Sequence, residues 1–298
     1  MDSIFHIQGD QSSSLTPVFL IHAISGFGLP YLNFGALSTA RQSRPVYGLS
    51  SPIYEKRNYI PPRSLEKMAK EYLDRIRTVR PTGPYIIGGW SLGGMLAGKI
   101  AAILTAEGKG NECAHLLLID AINPQGCPAY EDPKERDPIA EWMFKTYAPQ
   151  MGLRALVGSP KIEMEQDVMF RALDPVSEDE DDEVDIMEYL PRMRKYIYNS
   201  LDIVAGAGPT QFVPEAGPDG IQCTATLIKA TILGDHPPGT SDRRKWGVEY
   251  RFNQETSGWP MEKLKVIKVD RQHDHFFDAD FMEEMTRMIR EDLAQVDG

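Results

Sequence analysis

Gly83-Pro84-Tyr85-Ile86-Ile87-Gly88-Gly89-Trp90-Ser91-Leu92-Gly93-Gly94 is the stretch that decides the fold. Tyr85-Ile86-Ile87-Gly88 is a short apolar run of the kind buried in a parallel sheet. Ser91 to Ala106, rich in Gly and Ala in its early turns, reads as a helix. Gly89-Trp90-Ser91-Leu92-Gly93 joins the two with no residue to spare. A serine on so tight a strand-to-helix turn has a strained backbone, and small residues two positions to either side relieve the clash. Its hydroxyl then stands clear of the sheet at a helix N-terminus. The same five letters would also describe a Gly-rich structural turn, but the strand before and the helix after give Ser91 the setting of a catalytic nucleophile.

Outward from this turn the alternation continues. Val18–Ile21, Pro45–Leu49 and His115–Ile119 are further apolar runs expected as buried strands. Ser64 to Val79 carries Leu65, Met68, Ala69, Tyr72, Leu73 and Ile76 at helical spacing, with Ser64 placed as an N-cap. Strand and helix in this order imply an α/β fold with a doubly wound, mostly parallel sheet. After Asp120 the rhythm changes: residues 125–220 hold helical pieces (Ile139–Tyr147, Ile162–Leu173, Ile186–Val204) and the acidic run Glu178–Glu183, which reads as a solvated loop. Strand signals resume at Thr224–Ala230 and Leu264–Val269, and a last helix runs from Asp280 to Ala294. The expected organisation is a single α/β domain with core 1–124 and 221–298 and a helical lid inserted at 125–220.

Composition narrows the function. The 298 residues are 42% hydrophobic and 25% charged, enough for a substantial core. A net charge of −11 argues against nucleic acid and against an anionic membrane surface. Cys113, Cys127 and Cys223 are odd in number and widely separated, which points to reduced thiols and a cytoplasmic location. The N-terminus lacks the basic and apolar regions of a signal peptide, and no apolar run approaches the roughly 20 residues that span a bilayer.

A serine hydroxyl needs a general base. The six histidines are His6, His22, His115, His236, His273 and His275. The order nucleophile, acid, histidine, with the base after the last strand, leaves His273 and His275 in Asp270-Arg271-Gln272-His273-Asp274-His275-Phe276-Phe277. We read His275 as the base, with His273 as the alternative. The His-Asp-His cluster has no third ligand at usable spacing, so no metal site is expected. Asp120, ending the strand His115–Ile119, is the expected acid; an aspartate there can also simply cap a turn, and Asp270 and Asp235 are weaker candidates. Oxyanion donors are expected at the N–H groups of Leu92 and of Ile24, in the loop His22-Ala23-Ile24-Ser25-Gly26. His22 precedes the serine and is assigned, with Trp90, to shaping the loops around it.

Phe19–Gly26, Pro45–Leu49, Gly83–Gly94, Leu117-Leu118-Ile119-Asp120 and the His275 loop, in that order, resemble the type I thioesterase domains that end fungal polyketide synthases and nonribosomal peptide synthetases, and more distantly the thioesterase of animal fatty acid synthase. The resemblance spans residues 17 to about 290. It implies an α/β-hydrolase fold, the triad Ser91, Asp120 and His275, and a lid over an acyl channel. It further implies an acyl or peptidyl carrier protein as partner, with the substrate on the carrier's phosphopantetheine and no cofactor held by this chain. The sequence departs from that pattern at Ala23, where proline often follows the histidine, and at His273, where glycine often stands two residues before the base. Trp142, Phe144, Met164, Met169, Phe170, Met187 and Tyr196 are either channel lining or helix-packing core. The resulting expectation is acyl release through an acyl-Ser91 ester. The competing readings are a stand-alone esterase or lactonase on small esters and a non-catalytic binding protein of hydrolase fold.

Overall fold

The computed structural model describes residues 2–38, 43–123, 129–130, 132–148, 188–206 and 221–297. The expected helix at Ile162–Leu173, the acidic run Glu178–Glu183 and Cys127 lie outside them. The described strands are β1 (Ile4–Gln8), β2 (Val18–Ile21), β3 (Val46–Leu49), β4 (Tyr85–Trp90), β5 (Cys113–Ile119), β6 (Thr224–Ala230) and β7 (Leu264–Val269). They form one sheet in the order β1-β3-β2-β4-β5-β6-β7. Only β1 runs antiparallel, paired with β3; all other neighbours are parallel. β2, β3 and β4 are buried along their whole length, as expected of parallel strands covered on both faces. From β2 the sheet grows toward β3 on one side and toward β4 on the other. The carboxyl ends of β2 and β4 therefore meet at a topological switch point, where open α/β sheets bind their ligands.

Six α-helices are described: α1 (Leu65–Val79), α2 (Leu92–Ala106), α3 (Arg136–Tyr147), α4 (Tyr189–Gly206), α5 (Asp242–Asn253) and α6 (Met282–Leu293). α1 follows the sequence reading closely. Ser64 caps it by accepting from the Lys67 N–H, and its buried residues are Leu65, Met68, Ala69, Tyr72, Leu73 and Ile76. α3 and α4 pack on each other within the segment expected as a lid. Phe144 and Tyr196 are buried in that packing region, on the helix-core side of the alternative left open for them.

Two elements were not expected. β1 is a short edge strand whose polar His6 and Gln8 interrupt its apolar residues. It is held by Phe5, whose ring lies where a Cβ on Gly48 would be, at 2.5 Å. α5 has no single apolar stripe: Val248 and Phe252 face a cavity, whereas Trp246 and Tyr250 are 65% and 50% exposed. An amphipathic pattern cannot be read from apolar residues divided between two faces. Cys113 and Cys223 are free, buried thiols with Sγ atoms 3.5 Å apart.

α6 is fastened by one buried carboxylate. Asp292 accepts from Lys265 Nζ at 2.9 Å and pairs with His115 Nε2 at 3.1 Å, while His115 Nδ1 meets Thr224 Oγ1 at 2.8 Å. Burial would raise the Asp292 pKa, but hydrogen bonds from His115, Lys265 and Thr226 outweigh it and bring it to about 2. Asp292→Ala should cost about 2 kcal/mol in urea unfolding near neutral pH, because the lost bonds are charge-assisted. A depressed carboxylate stabilises above its unfolded pKa and loses that contribution as pH falls through its folded value. The difference between variant and wild type should therefore shrink as pH drops below 3.8 toward about 2.

Candidate active site

Ser91 lies between β4 and α2 with φ 56° and ψ −118°. This left-handed backbone is costly for a residue with a Cβ, roughly 1–3 kcal/mol, and persists only where the surroundings enforce it. The surroundings here are the end of β2. A Cβ on Gly93 would lie 2.0 Å from the Ile21 carbonyl oxygen and 2.8 Å from that of His22; one on Gly89 would lie 2.3 Å from the Ile21 oxygen. The glycines two positions to either side of the serine are thus required by contact with one carbonyl. Tyr31 ties the same point down, donating its hydroxyl to the Ile21 carbonyl at 2.6 Å while accepting the Trp90 N–H at 2.8 Å. The Ser91 N–H donates to Ile119 O on β5 at 3.0 Å, so the turn is held from both neighbouring strands. Nothing in the local sequence marks Tyr31 for this role.

Asp120 follows β5 and also has a positive φ, 41°. Its N–H donates to Ile228 O at 2.7 Å, and its Oδ1 accepts from Ala230 N at 2.9 Å. Both partners belong to β6, which holds the carboxylate in a single orientation. The second oxygen, Oδ2, meets His273 Nδ1 at 2.6 Å.

This corrects the reading of His275 as the histidine beside Asp120. His275 turns away: its Nδ1 bonds Asp278 Oδ2 at 2.6 Å and its side chain is 52% exposed. The two histidines sit on the 3-10 turn His273–His275. With three residues per turn, positions two apart point in directions about 240° apart, so only one of them can face the site. The sequence placed the histidine loop correctly but not which face of that turn looks inward. Asp270 accepts from Thr231, and Asp235 lines the cavity from the loop after β6.

The His273 side chain is 32% exposed. Partial desolvation would lower its pKa, but its hydrogen bond to Asp120, that residue's charge and the charge of Asp274 more than reverse this and raise it above 6.5. Its ring packs 5.2 Å from that of Trp90, which also meets Phe277 at 5.1 Å and Tyr147 at 5.6 Å. Tyr147, from the last turn of α3, donates to Asp274 Oδ1 at 3.1 Å. Helix α3 is thereby linked to the histidine loop, a connection with no sequence signal.

His22 is fully buried and sits outside this dyad. Its Nδ1–H donates to Ala23 O at 2.6 Å, and Nε2 accepts from the Tyr72 hydroxyl, with the Tyr196 hydroxyl at 3.3 Å. Burial lowers its pKa to about 4, against the raising effect of the Ala23 bond, so the ring is neutral at pH 7. Tyr196 comes from α4 and Tyr72 from α1, so His22 joins both helices to the loop carrying Ile24. That loop closes with Gly26 N–H donating to Ala23 O at 3.0 Å.

Ser91, Asp120 and His273 line one cavity, together with Ile24 and Leu92. Leu92 opens α2, so its N–H is among the first-turn amides that have no acceptor within the helix. The cavity volume is about 260 Å³, several times the roughly 30 Å³ that a water occupies in the liquid. Its walls are mostly apolar: Ile139, Trp142 and Met143 from α3, Leu201 and Val204 from α4, Val248 and Phe252 from α5. Two polar side chains of its lining pair with acids, His236 with Glu249 at 3.0 Å and Arg244 with Glu135 at 3.3 Å.

A mostly parallel seven-stranded sheet with a strained serine at its switch point defines an α/β-hydrolase. The chain belongs to the thioesterase family, whose domain matches residues 16–182, and is a hydrolase enzyme. It is 34% identical over the full length of both chains to thioesterase pytI of Aspergillus terreus. With thioesterase pynI of Aspergillus niger it shares 32% identity over 98% of this chain and 99% of that one. Among solved structures, the NocB thioesterase domain in covalent complex with a fluorophosphonate nocardicin G analog matches with a TM-score of 0.59 at 20% identity, covering 97% of this chain and 99% of that one. The four-domain nonribosomal peptide synthetase AB3403 matches with a TM-score of 0.65 at 18% identity, over 97% of this chain and 20% of that one. Among the described residues no helix is long and apolar enough to cross a membrane.

The Asp120–His273 bond has a direct spectroscopic consequence. The His273 imidazole should titrate above 6.5 by NMR, and Asp120→Ala should lower that midpoint, since the bond and charge are what raise it. An unchanged midpoint in the variant would show that the two groups do not interact in solution.

Proposed function

We propose that this thioesterase releases an acyl chain from the phosphopantetheine thioester of a carrier protein, through an ester on Ser91. The observation that carries the reading is the Asp120–His273 hydrogen bond opening onto the cavity that Ser91 also lines. In this mechanism His273 takes the Ser91 proton as the hydroxyl attacks the thioester carbonyl. Asp120 fixes the tautomer with the proton on Nδ1, leaving Nε2 as the base, and stabilises the imidazolium that forms. The N–H groups of Ile24 and Leu92 receive the oxyanion. His273 then protonates the departing thiolate of the phosphopantetheine arm. In the second half it activates the nucleophile that frees the product: water gives an acid, an internal hydroxyl a lactone, an external alcohol or amine an ester or amide.

α3 and α4, as parts of a lid, cover an acyl channel and govern how much water reaches the ester. Its apolar walls favour an uncharged chain. His22 and Trp90 shape the loops on which the donors and the base stand. The chemistry needs no metal and no cofactor held by this chain, because the phosphopantetheine belongs to the carrier. Similarity to the polyketide synthase ntnG of Nectria sp, 26% identical over 97% of this chain and 13% of that protein, supports a carrier-linked substrate.

Incubation with carrier-bound acyl thioesters, followed by intact-protein mass spectrometry, should give an acyl adduct that Ser91→Ala abolishes. Equal turnover of carrier-bound thioesters and simple p-nitrophenyl esters would instead favour a free-standing esterase. His273→Ala should lose activity while His275→Ala stays near wild type, and Asp120→Asn should cost on the order of 10⁴ in turnover. Because only the neutral imidazole accepts a proton, kcat/KM should fall as pH drops through a midpoint above 6.5.

A further inference from the structure

Lys229 is a buried lysine on β6 that the mechanism does not use. Its three ammonium donors go to the Phe252 carbonyl at 2.5 Å, the Gln254 carbonyl at 3.1 Å and Ser257 Oγ at 2.8 Å, and it stands 4.9 Å from the centre of the Phe252 ring. Phe252 and Gln254 form the C-terminal end of α5, where the helix dipole favours a cation. Phe252 and Ser257 both line the active-site cavity. The chain neighbours of Lys229 are the two residues that hold Asp120: Ile228 accepts its N–H and Ala230 donates to its Oδ1. All three of its direct acceptors are neutral, so its charge is not cancelled by a bonded carboxylate.

We infer that Lys229 is a positioning residue for the Ser91–His273–Asp120 site, pinning the end of α5 and the Ser257 loop to β6 and supplying a fixed positive charge beside Asp120 that limits how strongly this carboxylate holds His273 protonated. The inference rests on the assignment of those three residues made above. The charged groups around Lys229 are Asp120 and Glu255, which favour its protonated form, and Lys268, which opposes it; burial opposes it most. Glu255 and Lys268 pair with each other at 2.8 Å and are more than half exposed, so solvent screens both. On the His273 side the facing charges are Asp120 and Asp274, with the Tyr147 hydroxyl engaged on Asp274 and His275 turned to Asp278. A positive charge near Asp120 weakens the field that raises the His273 pKa, and so enlarges the fraction of neutral base at pH 7.

The test is the pH dependence of Ser91 labelling by a fluorophosphonate, which needs neither the acyl substrate nor a carrier. In Lys229→Met and Lys229→Gln the midpoint of the acid limb should move up by about half a pH unit or more, because loss of the positive charge strengthens the field of Asp120 at His273. Lys229→Arg, which keeps the charge, should retain the wild-type midpoint. The Gln variant preserves a donor for Ser257 and carries the test if the Met variant does not fold. Uncharged variants with the wild-type midpoint and only a lowered Tm would overturn the inference and leave Lys229 a structural staple. A wild-type enzyme that fails to label at Ser91 would instead remove the triad assignment itself, so the two failures are distinguishable.

Discussion

The close approach of the Ile21 carbonyl to the turn after β4 is the constraint on which the site depends. That oxygen sits where a Cβ of either Gly89 or Gly93 would be, so β2, β4 and α2 can converge only if both positions lack a side chain. The convergence holds Ser91 at φ 56° and leaves Leu92 as the first residue of α2. Tyr31 reinforces the same contact by bridging the Ile21 carbonyl and the Trp90 N–H. A strained serine is maintained because relaxing it would break these contacts together.

The second half of the site is assembled from residues far apart in the chain. Asp120 is oriented by β6, which begins more than 100 residues later, and its free oxygen meets His273, 153 residues away. Parallel pairing of β5 with β6 and β6 with β7 brings these segments side by side. Because Asp120 already accepts from Ala230, its remaining oxygen is directed at one place. The 3-10 turn presents one histidine there and sends the other to Asp278.

The helices that wall the cavity are tied to the chemistry through tyrosines. Tyr147 of α3 donates to Asp274, next to His273. Tyr196 of α4 meets His22 and Tyr72, at the base of the loop carrying Ile24. A shift in either helix is therefore felt at the His273 loop or at the loop carrying Ile24, so the cavity walls are linked to both.

Local chemistry was enough to read much of this from the sequence. The Gly-Trp-Ser-Leu-Gly turn, the apolar runs of β2 to β7, the α1 stripe and Asp120 at a strand end depend on neighbours within a few residues, so their signals are written in consecutive letters. β1 and α5 were not legible, because an interrupted edge strand and a helix with two apolar faces have no periodic signature. Nor was the choice between His273 and His275. Both follow the last strand at nearly the same distance, and sequence order cannot say which side of a three-residue turn faces a carboxylate 153 positions earlier. Tyr31, Tyr147 and Lys229 were silent for the same reason: each acts by reaching a backbone or side chain that only the folded sheet brings near.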